Sequence, residues 1–243
     1  SEGRVRMDKE TYSCDDRIEI RVIDGNVGSS TVPVTIWSDT EPGGESLVLS
    51  ETGPDAGKYS GEIFTTADPA SPDDGLLSVA NADAITVEYI DADDGAGGTD
   101  IPRRDEATTD CLKPLISNVD EEGVTDVAAT ITWDTDELAT SEVIWGETTP
   151  PTQSEEGFGR TKDHAIDLTD LAECTIYYYE VLSADEFGNL ATDDNGGTYY
   201  YFETLGDFGD GLQPCSAGQV TSDEDYYSCT DDLTFRVVDI DLN

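Results

Sequence analysis

Positive charge, histidine and closely paired cysteines are scarce in this 243-residue sequence. It has 12 Lys and Arg residues against 55 Asp and Glu residues, so its formal net charge is -43. This balance argues against a nucleic-acid partner, because proteins hold phosphate backbones with basic surfaces. The sequence has one histidine, His164, and no C-x-x-C pair. Structural zinc needs clustered thiolates and imidazoles, so it is not expected here.

Signals for membrane insertion and catalysis are missing as well. No apolar run is long enough to span a bilayer, which predicts no membrane insertion. The sequence shows neither a secretory leader nor an initiator Met, so we expect a mature form or a piece of a longer polypeptide. The G-x-S-x-G, H-E-x-x-H and P-loop motifs do not occur. Glycosidases use two carboxylates, but among 55 acids some pair always qualifies. We therefore predict that the chain is not an enzyme.

Acidic residues are abundant, and three overlapping interpretations of them stay open. They could form a solvated coat, a surface adapted to high salt, or a store of oxygen ligands for calcium, which prefers carboxylates. Repulsion among so many carboxylates destabilises a compact state. Divalent cations should therefore help folding even without dedicated sites.

The cysteines are few and far apart. Wide spacing suits disulfide bonds, and it therefore predicts an oxidising, secreted or cell-surface location. The five cysteines are Cys14, Cys111, Cys174, Cys215 and Cys229.

Short strand patterns fill the sequence. In residues 17–22, three apolar side chains alternate with three charged ones, which is the period of a half-buried strand. Comparable segments follow, separated by turn-forming stretches such as EPGG and DDGAGG. No segment has a helical period. The pattern predicts an all-β protein built of antiparallel β-sandwiches.

One phrase occurs twice. Residues 12–24 read YSCDDRIEIRVID, and residues 227–239 read YSCTDDLTFRVVD, 215 positions later and without a gap. The match extends upstream, where Gly3, Val5 and Asp8 align with Gly218, Val220 and Asp223. A fixed period indicates an array of repeated domains. We therefore predict one unit followed by the start of its next copy.

The middle of the chain resembles a fibronectin type III domain. The resemblance rests on Trp133 in the second strand, on the ATSEVIWG strand, on Leu168 and Leu171, and on the stretch YYYEVLSAD. It is strongest to the variety that precedes the catalytic domain of purple acid phosphatases and that occurs in many bacterial surface proteins. It implies a fibronectin-like sandwich over residues 113–214. It implies no particular activity, since such modules serve as spacers, adhesins and enzyme appendages.

The first part of the chain resembles an immunoglobulin-like repeat of very large extracellular bacterial proteins. The resemblance rests on YSCDD, on LVLSETGPDAGKYSGEIFTT and on a closing DC. Those proteins often carry D-x-D-L-N after the second strand, and here the two copies read DGNVG and DIDLN. The implied domain order is an immunoglobulin-like sandwich at 1–112, the fibronectin-like sandwich at 113–214, and the start of a further immunoglobulin-like repeat at 215–243.

The two resemblances suggest a disulfide scheme. Cys14 and Cys111 lie on the early and final strands of the first domain, and a bond between them would close a loop of roughly 100 residues, worth about 4–5 kcal/mol. Cys174 and Cys215 fall at the same end of a fibronectin-like sandwich and form the second expected pair. The rival second pair is Cys215 with Cys229. In the preferred scheme the partner of Cys229 lies outside this sequence.

A calcium site is a candidate in the first domain. Asp91, Asp93 and Asp94 share one loop, and carboxylates two positions apart in a tight loop can converge on a hard cation. Asp24 and Asn26 follow a neighbouring strand and would add ligands. The alternative is a plain acidic turn.

Three functions remain open from the sequence. The leading hypothesis is a structural repeat unit of a secreted, acidic, disulfide-stabilised fibre, stalk or cell-surface layer, whose partners are further copies of itself. A second is a subunit that polymerises by donating its last strand, with Leu233, Phe235 and Val237 as the assembly residues. A third is a non-catalytic binding module of a secreted hydrolase or adhesin, with an unidentified glycan or protein ligand. The tyrosine runs YYYE and YYYF need no ligand, because cross-strand aromatic pairs explain them.

Overall fold

The computed structural model describes residues 2–53, 57–207, 211–215, 219–222 and 234–238. All regular structure in these ranges is β-strand, as the sequence predicts. None of the described segments forms a helix able to cross a membrane. The chain divides into two compact units. Unit 1 comprises Ser1–Leu112 with Phe187–Asn189, and unit 2 comprises Lys113–Glu186 with Leu190–Asn243.

Unit 1 is an immunoglobulin-like β-sandwich. Its strands are β1 (Arg4–Met7), β2 (Thr11–Tyr12), β3 (Arg17–Ile23), β4 (Thr31–Ser38), β5 (Glu45–Glu51), β6 (Lys58–Thr66), β7 (Leu76–Ser78), β8 (Ala84–Asp91) and β9 (Ile101–Thr109). They pair in the order β1-β3-β6-β5-β4-β8-β9-β2, and β7 pairs with β6. Two pairs are parallel, β2 with β9 and β6 with β7, and the others are antiparallel.

The first strands of unit 1 join the two ends of this strand order. β1 pairs with β3 at one end, and β2, which begins four residues after β1 ends, pairs with β9 at the other. The parallel pair is held by backbone hydrogen bonds from Thr108 N–H to Glu10 O and from Asp110 N–H to Tyr12 O, both 2.9 Å long. The opening residues therefore close the sandwich.

The alternating pattern of β3 builds the core of unit 1. Ile18, Ile20 and Val22 are completely buried, whereas Arg17 and Arg21 on the opposite face are exposed. Each buried aliphatic side chain contributes about 1.5–3 kcal/mol relative to an exposed one. The period-two pattern thus decides which face of the strand packs inward.

Unit 2 contains a fibronectin type III-like sandwich. Its strands are β10 (Ile116–Glu122), β11 (Ala129–Ala139), β12 (Glu142–Gly146), β13 (Gln153–Glu156), β14 (Thr161–Leu168), β15 (Ile176–Ala184), β16 (Leu190–Asp193) and β17 (Tyr200–Glu203). One sheet has the order β10-β11-β14, and the other has the order β13-β12-β15-β16 with β17 also paired to β15. Trp133, Ile131 and Tyr179 lie between the sheets and are almost fully buried.

Two small hairpins follow. The first joins β18 (Gly206–Asp207) to β19 (Leu212–Gln213). The second joins β20 (Gln219–Ser222) to β21 (Phe235–Val238) in antiparallel pairing. β20 lies in the upstream extension of the repeat, and β21 lies in the repeated phrase itself. Cys229 and Leu233 fall outside the described residues, and so does the side chain of Val237.

The last hairpin has the same register as its counterpart in unit 1. In the β1–β3 pair, Arg4 faces Ile23 and Val5 faces Val22. In the β20–β21 pair, the facing residues are those 215 positions later, Gln219 with Val238 and Val220 with Val237. The repeat in sequence is therefore also a repeat of backbone pairing.

Candidate functional site

Two buried carboxylates mark the point where β1 meets β8. Asp24, directly after β3, is 2% exposed, and Asp91, the last residue of β8, is fully buried. The Gly3 N–H donates a 2.8 Å hydrogen bond to Asp91 Oδ2, and the Tyr89 hydroxyl donates one of 2.8 Å to Asp24 Oδ2. Burial first, and then the bond to Asp24, raises the pKa of Tyr89. The phenol therefore stays a donor to the carboxylate.

Gly3 fits between these groups because it has no side chain. A Cβ atom at this position would lie 2.9 Å from Tyr89 Cε1, 3.0 Å from Asp24 Oδ2 and 3.1 Å from the Asp91 carboxyl carbon. Contacts this short require the neighbours to move. The first strand is thus held against the carboxylates by the close approach of a glycine backbone.

Asp91 already has a cationic partner. Arg103 on β9 places its Nη2 atom 3.2 Å and its Nε atom 3.4 Å from Asp91 Oδ2, and its Nη1 atom is 2.9 Å from Glu2 Oε1. A buried carboxylate is costly to desolvate unless a charge and hydrogen bonds compensate it. Arg103 and the Gly3 N–H supply that compensation.

Four of the five candidate calcium ligands share one hydrogen-bonded cluster. Asn26 N–H donates to Asp24 Oδ1 at 3.2 Å, and Asn26 Nδ2 donates to the Asp93 carbonyl at 2.6 Å. Asp93 N–H in turn donates to Asp91 Oδ1 at 3.2 Å. We name Asp24, Asn26, Asp91 and Asp93, with Gly3, Tyr89 and Arg103, the closure cluster.

Asp94 serves the next turn instead. Its Oδ1 accepts hydrogen bonds from the backbone of Ala96 at 2.8 Å and of Gly98 at 2.9 Å. These two bonds lower the pKa of Asp94, because they stabilise its charged form. In the described part of the chain, no three His, Cys, Asp or Glu side chains come together in a way that could hold a metal ion. Calcium binding at the closure cluster stays a prediction.

The structure contains both disulfides of the preferred scheme. Cys14 is bonded to Cys111 with a Cα–Cα distance of 5.1 Å, and Cys174 to Cys215 with 5.4 Å. The first bond follows directly on the parallel β2–β9 pair and fastens the closing strand to the last strand of unit 1. The rival Cys215–Cys229 pair is not formed, since Cys215 is occupied by Cys174.

The tyrosine runs form cross-strand pairs between β15 and β17. Tyr177 stacks on Phe202 with ring centroids 5.7 Å apart, and Tyr179 stacks on Tyr200 at 5.5 Å. Both β15 tyrosines are buried. The alternate residue of each run points outward, as a strand requires. Those outer residues are Tyr178 and Tyr201.

His164 is part of the core of unit 2. Its ring stacks on Trp133 with centroids 4.8 Å apart and an angle of 3° between the planes. Its Nε2 lies 2.8 Å from Thr135 Oγ1 and its Nδ1 lies 2.7 Å from Ser141 Oγ. Burial lowers the pKa of His164, while the charges of Asp134 and Asp163 act in the opposite direction. A neutral ring between two hydroxyls is a structural histidine.

Comparison with known proteins does not assign this chain to a family. No protein-family model and no curated protein sequence matches the chain. Among solved structures, the FN1-FN3 domains of chicken CNTN1 align with a TM-score of 0.43 and 10% identity over 82% of this chain and 66% of that one. A segment of two fibronectin type III domains from chicken tenascin gives 0.31 and 10% over 84% and 100%. Purple acid phosphatase PPD1 from yellow lupin seeds gives 0.30 and 12% over 90% and 43%. Similarities at these values indicate neither an activity nor a partner for this chain.

The closure cluster contains three residues that sequence patterns did not single out as site residues. These residues are Tyr89, Arg103 and Gly3. Of the three, only Gly3 is marked in the sequence, because Gly218 occupies the equivalent position in the repeat. The first two lie on ordinary strands. Their role depends on which strands become neighbours.

Replacing Gly3 with Ala should destabilise unit 1 by about 1–3 kcal/mol, because the added methyl group overpacks the closure cluster. Amide hydrogen exchange of β1 and β8 would measure the loss. Gly43→Ala is the matched control, since a Cβ atom there meets nothing within 4 Å. Equal protection in both variants would show that Gly3 does not hold the first strand.

Unit 2 should lose stability as the pH falls below about 6.5, the ordinary pKa of histidine. The folded His164 has a lowered pKa and stays neutral there, whereas the unfolded residue binds a proton. Protonation of His164 in the unfolded state should lower the free energy of unfolding by up to about 1.4 kcal/mol per pH unit, until the pH reaches the pKa of His164 in the folded state. Urea unfolding at several pH values, compared with His164→Gln, would measure it. An identical acid slope in both proteins would contradict this account.

Proposed function

We propose that the chain is a structural repeat module of a secreted, disulfide-tied extracellular fibre, stalk or cell-surface layer. Tandem immunoglobulin-like and fibronectin-like sandwiches with two disulfides form a structural or adhesion type of module, typical of extracellular proteins. The observation that carries the proposal is the last hairpin, which repeats the β1–β3 register 215 residues later. A chain that restarts the same domain is built as an array.

The residues shared by the two copies support this proposal. In unit 1, Gly3 and Asp24 belong to the closure cluster, Cys14 carries the disulfide and Tyr12 is completely buried. The copy keeps all four residue types at Gly218, Asp239, Cys229 and Tyr227. These are the residues that attach the first strands to β8 and β9. Their repetition is what a second complete sandwich would need.

The disulfide of unit 1 suits a load-bearing module. Cys14 and Cys111 lie near the two ends of the unit and are separated by 97 residues. Tension applied at the two ends passes through the covalent bond and bypasses the 96 residues enclosed by it. In unit 2, Cys174 and Cys215 are separated by 41 residues, so the strands from β10 to β14 remain outside the bond. Unit 1 therefore extends less than unit 2 before the bonds are reduced.

Single-molecule stretching of the full chain should show this difference. Reduction should release the 97-residue span of unit 1, adding roughly 320–350 Å at about 3.3–3.6 Å per residue. The 41-residue span of unit 2 should add roughly 135–150 Å on the same scale.

The control is the double variant Cys14→Ser, Cys111→Ser. It should show the long increment without reductant and keep the short one. If the oxidised parent already extends to its full contour length, the bond does not lie in the force path, and the load-bearing role is wrong.

Strand donation between separate subunits is the second candidate, and one observation favours it. Phe235 in the last hairpin is 62% exposed, whereas its counterpart Ile20 in unit 1 is completely buried. An exposed core position on a paired strand can complete the sheet of another copy. The partner in this case is unit 1 of a second chain.

Deletion of residues 218–243 separates the two candidates. For a repeat module, sedimentation should show the same state of association for the shortened chain and the parent at equal concentration. Units 1 and 2 keep their own cores in both proteins. For strand donation, the parent should form head-to-tail oligomers and the shortened chain should be monomeric. Phe235→Asp in the full chain is the matched point variant, and it should abolish assembly in the second case alone.

A further inference from the structure

Two buried glutamates of unit 1 lie outside the closure cluster. Glu41, in the turn after β4, is 3% exposed, and Glu45, the first residue of β5, is 2% exposed. Glu41 Oε2 accepts a 2.8 Å hydrogen bond from Ser78 N–H, and Glu45 Oε2 accepts one of 3.1 Å from Gly75 N–H. The other oxygen of each carboxylate, Oε1, is buried and has no hydrogen-bond partner among the described residues.

The two carboxylates point at the same piece of backbone. Their partners Gly75 and Ser78 bracket the short segment that ends with β7. Ser38 joins this segment to the turn, because its hydroxyl donates to the Ser78 carbonyl and accepts a 2.9 Å bond from Glu41 N–H. Both glutamates therefore contact the β7 segment, at backbone positions three residues apart.

The turn cannot easily swing the glutamates out to water. Gly44 has a φ of +63°, and a Cβ atom there would lie 2.3 Å from the Ile36 carbonyl oxygen. Its N–H donates a 3.1 Å bond to the Glu41 carbonyl, which closes the turn. Only glycine fits this position, so the turn holds Glu41 and Glu45 in their buried positions.

Nothing in the described part of the chain balances this buried charge. No Lys, Arg or His of the described residues forms an ion pair with Glu41 or Glu45, whereas Asp91 in the closure cluster has Arg103. Burying a carboxylate without a counter-charge destabilises the folded state. Two such groups, each with an oxygen that accepts no hydrogen bond, offer carboxylate ligands to a small cation.

We propose that Glu41 and Glu45 bind a divalent cation of calcium's type through their Oε1 atoms. Calcium takes six to eight oxygen ligands, and carboxylates are the strongest of them. Two carboxylates are fewer than a dedicated protein cage provides, so backbone carbonyls and water complete the shell. The affinity then belongs to the weak range of extracellular modules, with a Kd on the order of 0.1–1 mM. The ion ties the β4–β5 turn to the β7 segment.

Thermal unfolding of the full chain with and without calcium tests the site. Calcium should raise the unfolding temperature of unit 1 in the parent, and Glu41→Gln with Glu45→Gln should remove this shift. Glutamine keeps one oxygen for each backbone N–H but carries no charge. In chelator, the double variant should therefore be at least as stable as the parent. An equal calcium shift in both proteins, or no shift in either, would overturn the proposal.

Two control variants locate the effect. Glu155→Gln with Glu156→Gln removes the same charge from the exposed strand β13 and should keep the whole calcium shift. Asp91→Asn alters the closure cluster and should also keep the shift. If Asp91→Asn abolishes the shift and the Glu41, Glu45 variant retains it, calcium binds at the closure cluster and this proposal is wrong.

Terbium luminescence gives a second readout that does not depend on stability. Trp37 is the tryptophan of unit 1, and it lies beside the turn, because a Cβ atom on Gly44 would be 2.8 Å from Trp37 Cβ. Tryptophan excitation should sensitise terbium bound at Glu41 and Glu45, and calcium should displace it. The signal should fall at least about tenfold in the double glutamine variant, since both charged ligands are lost. It should also vanish in Trp37→Phe. Emission of undiminished intensity in the glutamine variant would place terbium elsewhere and refute the site.

Discussion

Closure of unit 1 by its own first residues is the constraint on which the rest of the structure depends. β1 and β2 are the edge strands at the two ends of the strand order, and the three residues between them carry the chain from one edge to the other. Unpaired edges are sites of aggregation, and strands of four and two residues leave little unpaired backbone at these edges. The Cys14–Cys111 bond then makes the second contact permanent. Residues 3–14 thus provide both short edge strands, one half of the disulfide bond and the contact with the buried carboxylates.

The repeated phrase makes sense in terms of that closure. A strand that served only as core could vary freely among apolar residues, as Ile20 and Phe235 do. Three of the identical positions are different, because each has a partner that no similar residue could satisfy. Gly3 has no room for a side chain, Cys14 needs a thiol, and Asp24 accepts the Tyr89 hydroxyl. The repeat therefore preserves the attachment of the strand more strictly than its hydrophobic face.

Local patterns predicted the fold well and the site in part. The alternation in residues 17–22 and the repeat at 215 positions are properties of adjacent residues, so strand identity and register could be inferred from them. The closure cluster was predicted from its carboxylates, yet Arg103 and Tyr89 were not, because their roles arise from the pairing of β8 with β9 and its approach to β1. The hydrogen bonds from the backbone of Ala96 and Gly98 to Asp94 were likewise not predicted. Glu41 and Glu45 resemble any other acids until the fold buries them.

The excess of acid gives these buried carboxylates their significance. Eight of the 12 basic residues lie within residues 1–112, where ion pairs such as Arg17–Glu62 and Arg104–Glu88 join exposed strands. Exposed pairs contribute about 0–1 kcal/mol each, so they offset repulsion but do not hold the sandwich together. A buried charge has far larger consequences, because the low-dielectric interior amplifies both its cost and its attraction to a counter-charge. Asp91 meets that cost with Arg103, within the chain. Where a chain with so few cations places a carboxylate inside without such a partner, the counter-charge has to come from solution, and stability becomes coupled to the ions outside the protein.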